Sequence, residues 1–221
     1  MKTKNKLFLI LMAVFMMLSL GSCSDKKTTE PDNLKVGDII SFGTHEWRVL
    51  DIQSGRALIM SENIFEYRQY HQDFAFITWE DCSLRAYLNE EFFNSNTFSD
   101  ADRARIVEVT NVNDNNQWFG VNGGANTQDR IFLLSIAEIV KYFGDSGQLD
   151  NRPSDAQWII DQYSLNRIAT YNGTISLWWQ RSPGMYNVRA SIVGDEGDLC
   201  IAGYRVDNVG GVRPALWLNQ F

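Results

Sequence analysis

Cysteine is scarce in this sequence, three in 221 residues, and histidine scarcer still at two. No CxxC pair exists, and neither His45 nor His71 stands near two cysteines, so a zinc site is not expected. Basic residues also fall short: 20 Lys and Arg face 27 Asp and Glu, a formal charge of -7. Nucleic acid is therefore excluded as a partner, because binding phosphate needs a positive surface field. Long apolar runs are missing after the first twenty residues, which excludes a polytopic membrane protein. Catalytic signatures are thin as well. Ser182 has no G-x-S-x-G elbow around it and both histidines lie far upstream, so a Ser-His-Asp triad has no local support. No pair among the acids stands out for glycoside hydrolysis. An enzyme is the less favoured reading, and no cofactor is implied.

What the sequence does hold begins at the N-terminus. Lys2, Lys4 and Lys6 precede an apolar run from Leu7 to Leu20, too short to span a bilayer comfortably and typical of an export signal. Leu20-Gly21-Ser22-Cys23 then has the form of a lipobox, with Cys23 as the lipidated first residue of the mature chain. Residues 1–22 read as signal peptide and 23–33 as a lipidated, polar tether containing Pro31. Ser24 and Asp25 are similar to the export signals of surface lipoproteins in the Bacteroidetes. Loss of three lysines with the signal takes the formal charge from -7 to -10. Attachment to the bacterial outer membrane, on its periplasmic or cell-surface side, would then rest on acyl chains alone.

Residues 34–221 read as one α+β domain of mainly antiparallel strands with several short helices, since 44% hydrophobic residues suffice for a core. Short apolar runs around Trp47, Val49–Ile52 and Ala57–Met60, separated by Gln53-Ser54-Gly55, predict a hairpin. Thr78-Trp79-Glu80-Asp81 has the form of a capping box and predicts a helix from Glu80 to Phe93. Ser99 with Asp102, Ser135 with Glu138, and Ser154 with Gln157 repeat that start signal and predict three more helices, the second led in by a strand over Ile131–Leu134. Strands are expected again over 175–180, 188–193, 199–206 and 212–218. Cys82 and Cys200 are either buried small side chains or a disulfide; their spacing does not decide.

Several residue groups invite a functional reading. The stretch from Asn111 to Asp129 is too rich in Asn and Gly to pack a core and reads as a long functional loop. Within it Trp118 and Phe119, flanked by Asn116 and Gln117, would stack on a sugar ring while the amides meet hydroxyls, or would tuck back and pin the loop. Trp178 and Trp179 point to opposite faces of a strand, so one of them, or neither, lies outward. Arg181 and Arg213 would hold a carboxylate or backbone carbonyls, a structural salt bridge being the plainer role. Tyr186 joins Arg181 as a further ligand candidate. Asp195, Glu196 and Asp198, and Asn113, Asp114 and Asn115, offer oxygen ligands without a full calcium-loop spacing. They read as turns, and calcium is not favoured.

Four segments together carry a family resemblance: Trp47-Arg48-Val49-Leu50 with Ala57–Glu62, Thr78-Trp79-Glu80 with Leu84–Asn89, Trp178-Trp179-Gln180-Arg181-Ser182-Pro183-Gly184, and Gly211-Val212-Arg213-Pro214-Ala215-Leu216-Trp217-Leu218. The chain resembles a domain-of-unknown-function family found in gut-bacterial surface and secreted proteins. In that pattern Gln180 stands where Leu is expected and Cys82 where a small polar residue is usual. The last two segments are also similar to the closing strands of C-type-lectin-like domains, including those of formylglycine-generating enzymes, which rely on a cysteine-based copper site that Cys200 has no nearby partner to build. The resemblance implies a lectin-like architecture and a non-catalytic binding module for a glycan or a protein surface. The alternative is a structural subunit of an envelope or adhesin assembly.

Overall fold

The computed structural model describes residues 34–219; the signal peptide, Cys23 and the tether lie outside the described residues. The chain opens on three antiparallel strands, β1 (Ile39–Phe42), β2 (His45–Gln53) and β3 (Arg56–Ser61). The expected hairpin joins β2 to β3, with both turn residues in the left-handed region, Ser54 at φ 50° and Gly55 at φ 75°. That turn matches the natural twist of paired strands. A short strand β4 (Glu66–Gln69) follows.

The helix expected over Glu80–Phe93 is present as three joined pieces: a single 3-10 turn at Trp79–Asp81, α1 (Ser83–Tyr87), and a wider π-type turn at Leu88–Phe92. Thr78 makes no capping bond. The cap is Cys82, whose sulfur accepts the Arg85 N–H at 3.4 Å. α2 (Asp100–Arg105) and α3 (Ile136–Phe143) both begin on the expected reciprocal capping boxes, Ser99 with Asp102 and Ser135 with Glu138. Short strands β5 (Ile106–Val107), β6 (Val109–Asn111) and β7 (Thr127–Asp129) lie between them. The strand expected over Ile131–Leu134 is reduced to one bridge, Phe132 to Ala215.

Ser154 starts no helix. Asp155 takes φ 56°, and the chain past Gln157 is drawn into β8 (Trp158–Ile159), paired with Cys200 and Leu199. The helix in this region is α4 (Ser164–Arg167) instead. The remainder is β structure: β9 (Thr170–Tyr171), β10 (Thr174–Ile175), β11 (Trp178–Pro183), β12 (Arg189–Val193), β13 (Leu199–Arg205), β14 (Val209–Val212) and β15 (Ala215–Asn219).

Two sheets carry the domain. One runs β1-β2-β3-β15-β5, so the last strand closes against the first hairpin; the other runs β4-β14-β11-β12-β13-β8. Pairing is antiparallel except between β11 and β14. The result is a single α+β domain with no closed barrel. Trp47, Trp79, Trp178 and Trp179 anchor its core, each at most 1% exposed. Trp178 and Trp179 do point to opposite faces, but both faces of β11 are covered. Their indole N–H groups donate to Arg167 O and Arg68 O at 3.0 and 2.9 Å. Truncating a buried Trp of this kind costs about 3–5 kcal/mol.

Cys82 and Cys200 are buried free thiols. Burial pushes Cys82 up to about 12 and Cys200 up to about 11, so neither supplies a thiolate near neutrality. Among the described residues no helix is long and apolar enough to cross a membrane.

Candidate functional site

The Asn-rich stretch is not the uncommitted loop that its composition suggests. It is the extension of the β6–β7 hairpin, and its base is fixed by a buried carboxylate. Asp129, wholly buried, accepts from Trp79 Nε1 at 3.0 Å, Arg85 Nε at 2.6 Å, Asn111 Nδ2 at 2.8 Å and Thr127 Oγ1 at 2.6 Å. Four donors on one carboxylate satisfy it far from water and tie the hairpin to α1 and the turn before it. Higher up, Gly123 passes so close to the Asn113 and Asp114 carbonyls that any Cβ there would collide with them. Small residues here serve close packing of backbone on backbone.

The amides of this loop divide into two sets. Asn116 is 2% exposed and spends every group on the scaffold. Its Nδ2 donates to Pro183 O and Ile201 O at 2.7 and 2.9 Å, and its Oδ1 accepts the N–H groups of Trp118 and Phe119. Asn113 likewise donates to Ala125 O and Thr127 Oγ1, while its buried Oδ1 has no partner. Asn115, Gln117 and Asn126 are exposed. Each uses one amide atom internally: Asn115 Oδ1 accepts from Gly123 N, Gln117 Nε2 donates to Asp150, and Asn126 Oδ1 accepts from Asn113 N. The other amide atom of each meets no described residue.

These residues line a cleft of about 660 Å³ whose opposite wall is Ser135, Ile136 and Ala137 at the start of α3, with Ser182 of β11 at its base. The serine hydroxyl oxygens accept from Glu138 N and Ile136 N, which leaves their protons to donate elsewhere. Asp114 is the one ionisable residue on the lining. Beneath it Arg181, 4% exposed, donates to Leu133 O and Val112 O and forms an ion pair with Glu138. Arg181 thus braces the loop against α3 rather than presenting itself to a ligand.

Trp118 and Phe119 fall between the two sequence-based readings. Both are half-buried against the core. Trp118 Nε1 donates to Leu149 O at 2.8 Å, and the Arg152 guanidinium lies 5.3 Å from the Trp118 ring centroid and 4.4 Å from that of Phe119. Their rings pin the loop and are already partnered by a cation. Tyr186 is 57% exposed on the turn between β11 and β12, away from the cleft lining. Ile77 N donates to Asn187 O, so the segment that carries exposed Phe74 and Phe76 runs up to this turn. Of the sequence-derived candidates, then, the structure gathers Asn116 and Gln117 at one cleft and sets Arg181 below it. Asn115, which the sequence offers only as an oxygen ligand in a turn, lines the same cleft, together with Asn126, Ser135 and Ser182, which the sequence does not mark as ligand residues. The capping pattern of Ser135 with Glu138 is a local signal; Ser182, inside β11, carries none.

A second, smaller cavity of about 450 Å³ lies by the other end of α3, where Tyr142 and Phe143 meet Arg48, Glu62 and Arg213. Arg213 makes no salt bridge with any of the described residues. Its Nε and Nη2 donate to Ser61 O and Glu62 O at 2.9 and 3.0 Å. Burial pulls its guanidinium down to about 10, with Glu62 opposing and Arg48 adding to that shift. Among the described residues the one fully buried ion pair is elsewhere: Arg167 with Asp161, 0% and 1% exposed, at 3.0 Å. Burial raises the Asp161 carboxyl, but bonds from Arg167, Ser146 and Tyr163 N outweigh it and hold it below the ordinary value. The hairpin turn at Asp195 and Glu196 is closed by Gly194 N to Asp198 O. No group of three or more His, Cys, Asp or Glu side chains among the described residues is placed to hold a metal.

The family model of a domain of unknown function, DUF6273, matches residues 54–220. No curated protein and no solved structure matches this chain. The matched residues run from the β2–β3 turn through β15 and so take in the amide cleft, Asp129 and Arg213. The chain belongs to the DUF6273 family.

Proposed function

We propose that the protein is a non-catalytic binding module, held by lipid at Cys23 on a bacterial outer membrane or cell surface, that takes a neutral glycan in the amide cleft. One observation carries this reading: the cleft offers paired but unspent donors and acceptors and almost no charge. Amides of Asn115, Gln117 and Asn126 face hydroxyls of Ser135 and Ser182 across about 660 Å³, roughly the size range of small-ligand pockets. A sugar's vicinal hydroxyls each donate and accept, and such a wall meets both needs. A phosphate or sulfate would find no cation on the lining, and Asp114 would repel it. The buried amides keep the loop preorganised, so less ordering is left to the binding step. Lipid attachment is supported by the pattern from Lys2 to Cys23, and a lectin-like architecture by the resemblance of the closing strands.

A glycan array, run with and without calcium, tests the proposal. Hits are expected among neutral glycans. Gln117→Ala and Asn126→Ala should each weaken binding several-fold without moving Tm, because both side chains are exposed. An array with no neutral hits under either condition removes the reading. The exposed aromatics Phe74, Phe76 and Tyr186 favour a second role, as a contact in an envelope assembly. Their replacement by Ala would then disrupt a complex isolated from the envelope and leave glycan binding intact.

A further inference from the structure

The smaller cavity has a chemistry opposite to that of the amide cleft. Its inner wall is cationic. Arg213 is 3% exposed and lies between aromatic rings, 5.1 Å from the Trp178 centroid and 5.7 Å from Phe143. Two backbone carbonyls take its Nε and Nη2, and its Nη1 has no partner. No carboxylate among the described residues bonds to it, although the charge of Glu62 acts on it from nearby. The carboxylate nearest in the network, Glu62, is spent on Arg48, gripping Nε at 2.8 Å and Nη2 by its other oxygen. Buried charges are ordinarily paired. Here one guanidinium on a cavity wall has no carboxylate of its own, sharing only the field of Glu62 with Arg48, in a chain whose formal charge is -7.

The mouth of the same cavity is apolar. Val36 and Leu165 line it at 64% and 78% exposure, two of the more exposed aliphatic side chains in the protein, with Ile168 beside them. A cationic interior behind an apolar rim is complementary to an amphipathic anion. We propose that this cavity binds a small monocarboxylic acid with an apolar tail, the carboxylate directed to Arg213 and Arg48 and the tail covering Leu165 and Val36. A guanidinium's planar donors match a carboxylate's two oxygens. Glu62 on the same wall selects against a dianion such as phosphate, whose second charge it would repel. A bound carboxylate would also reverse the downward pull that burial exerts on Arg213.

The test is calorimetric titration of the purified full-length protein with hexanoate, hexanamide and inorganic phosphate. Hexanoate should bind saturably, with Kd of about 1 mM or tighter, and raise Tm progressively, with the logarithm of its concentration once that exceeds Kd. Hexanamide and phosphate should bind at least tenfold more weakly. Because Arg213 also clamps Ser61 and Glu62, Arg213→Met is expected to unfold the protein and is not the decisive variant. Leu165→Glu is: on an exposed position of α4 it leaves the fold intact and sets a negative charge at the mouth, and it should weaken hexanoate at least tenfold. The proposal is overturned if hexanoate does not saturate, if hexanamide or phosphate binds as well, or if Leu165→Glu binds hexanoate like the parent. Glycan-array results bear only on the amide cleft, so the two sites fail or stand separately.

Discussion

Gln180 sits in the middle of β11 with no exposed surface, and neither end of its amide finds a hydrogen-bond partner. An unsatisfied buried polar group costs about 1–3 kcal/mol. Leu, the residue expected here from the family pattern, has similar volume and nothing to desolvate. Gln180→Leu should therefore stabilise the protein by about that amount, with Tm rising about 2–4 °C for each kcal/mol. Calorimetry reads it directly, and a lower Tm would mean that the amide is bonded after all. Trp118 makes the converse case. Half-buried, with its indole N–H on Leu149 O, it should cost about 2 kcal/mol when changed to Ala, less than a fully buried Trp. Unchanged melting of Trp118→Ala would return the ring to the role of an exposed platform. At this scale the sequence is a poor witness for polar residues. Asn116 turned inward and Asn126 turned outward look alike in an Asn-rich run, because the choice is made by carbonyls of Pro183 and Ile201 that are distant in sequence.

Elements were more legible where their stabilisation is local. The capping boxes at Ser99 and Ser135 start helices because each bond is closed within three residues. The same signal at Ser154 fails, since pairing of Trp158 and Ile159 with β13 outweighs a lone cap of about 1 kcal/mol. The β6–β7 hairpin was not foreseen, for its organiser is Asp129, whose four donors come from Trp79, Arg85, Asn111 and Thr127. Asp129→Asn puts an NH2 where only acceptors are wanted, so a loss of about 3 kcal/mol is expected. Hydrogen exchange should quicken first across residues 109–129; exchange that quickens evenly over the chain would deny Asp129 this local role. Beside α4, the buried Asp161–Arg167 pair gives a pH dependence. The Asp161 carboxyl is held below the ordinary aspartate value of 3.8. The stability it contributes is thus present above that value and is lost as pH falls through it toward the folded pKa. Asp161→Asn leaves Arg167 buried without its counter-charge and should cost about 3–5 kcal/mol at pH 7. Denaturant titrations of both proteins from about pH 6 to 2 should converge in acid, and a gap that does not narrow would show that Asp161 is not titrating in that range.

For the whole molecule, the order of strands, helices and strands was readable from residue patterns, but the sheet order was not. Side-chain alternation says that a segment is a strand and which face is buried; it does not name the partner. The partners here are remote. β15 joins β3 through five paired positions from Ala215 with Met60 to Asn219 with Arg56, and flanks β5 on its other side. It lies inside its sheet, whereas β1 forms the sheet's edge. Removing each strand should therefore have different consequences. A chain ending at Val212 loses buried Ala215, Leu216 and Leu218 together with the Arg213 clamp on Ser61 and Glu62. It also opens two strand edges inside the core. Such a chain should show no cooperative transition by calorimetry. A chain starting at Gly43 loses β1, where Phe42 is the one buried residue, and the lead-in before it, where Leu34 packs on the core and Gly37 and Asp38 bond the Val49 backbone. It should melt cooperatively at a lower temperature, shifted by about 3–5 kcal/mol for the lost phenylalanine packing. If the C-terminal deletion still melts in one sharp step, the closing strand is an accessory and the core assembles without it.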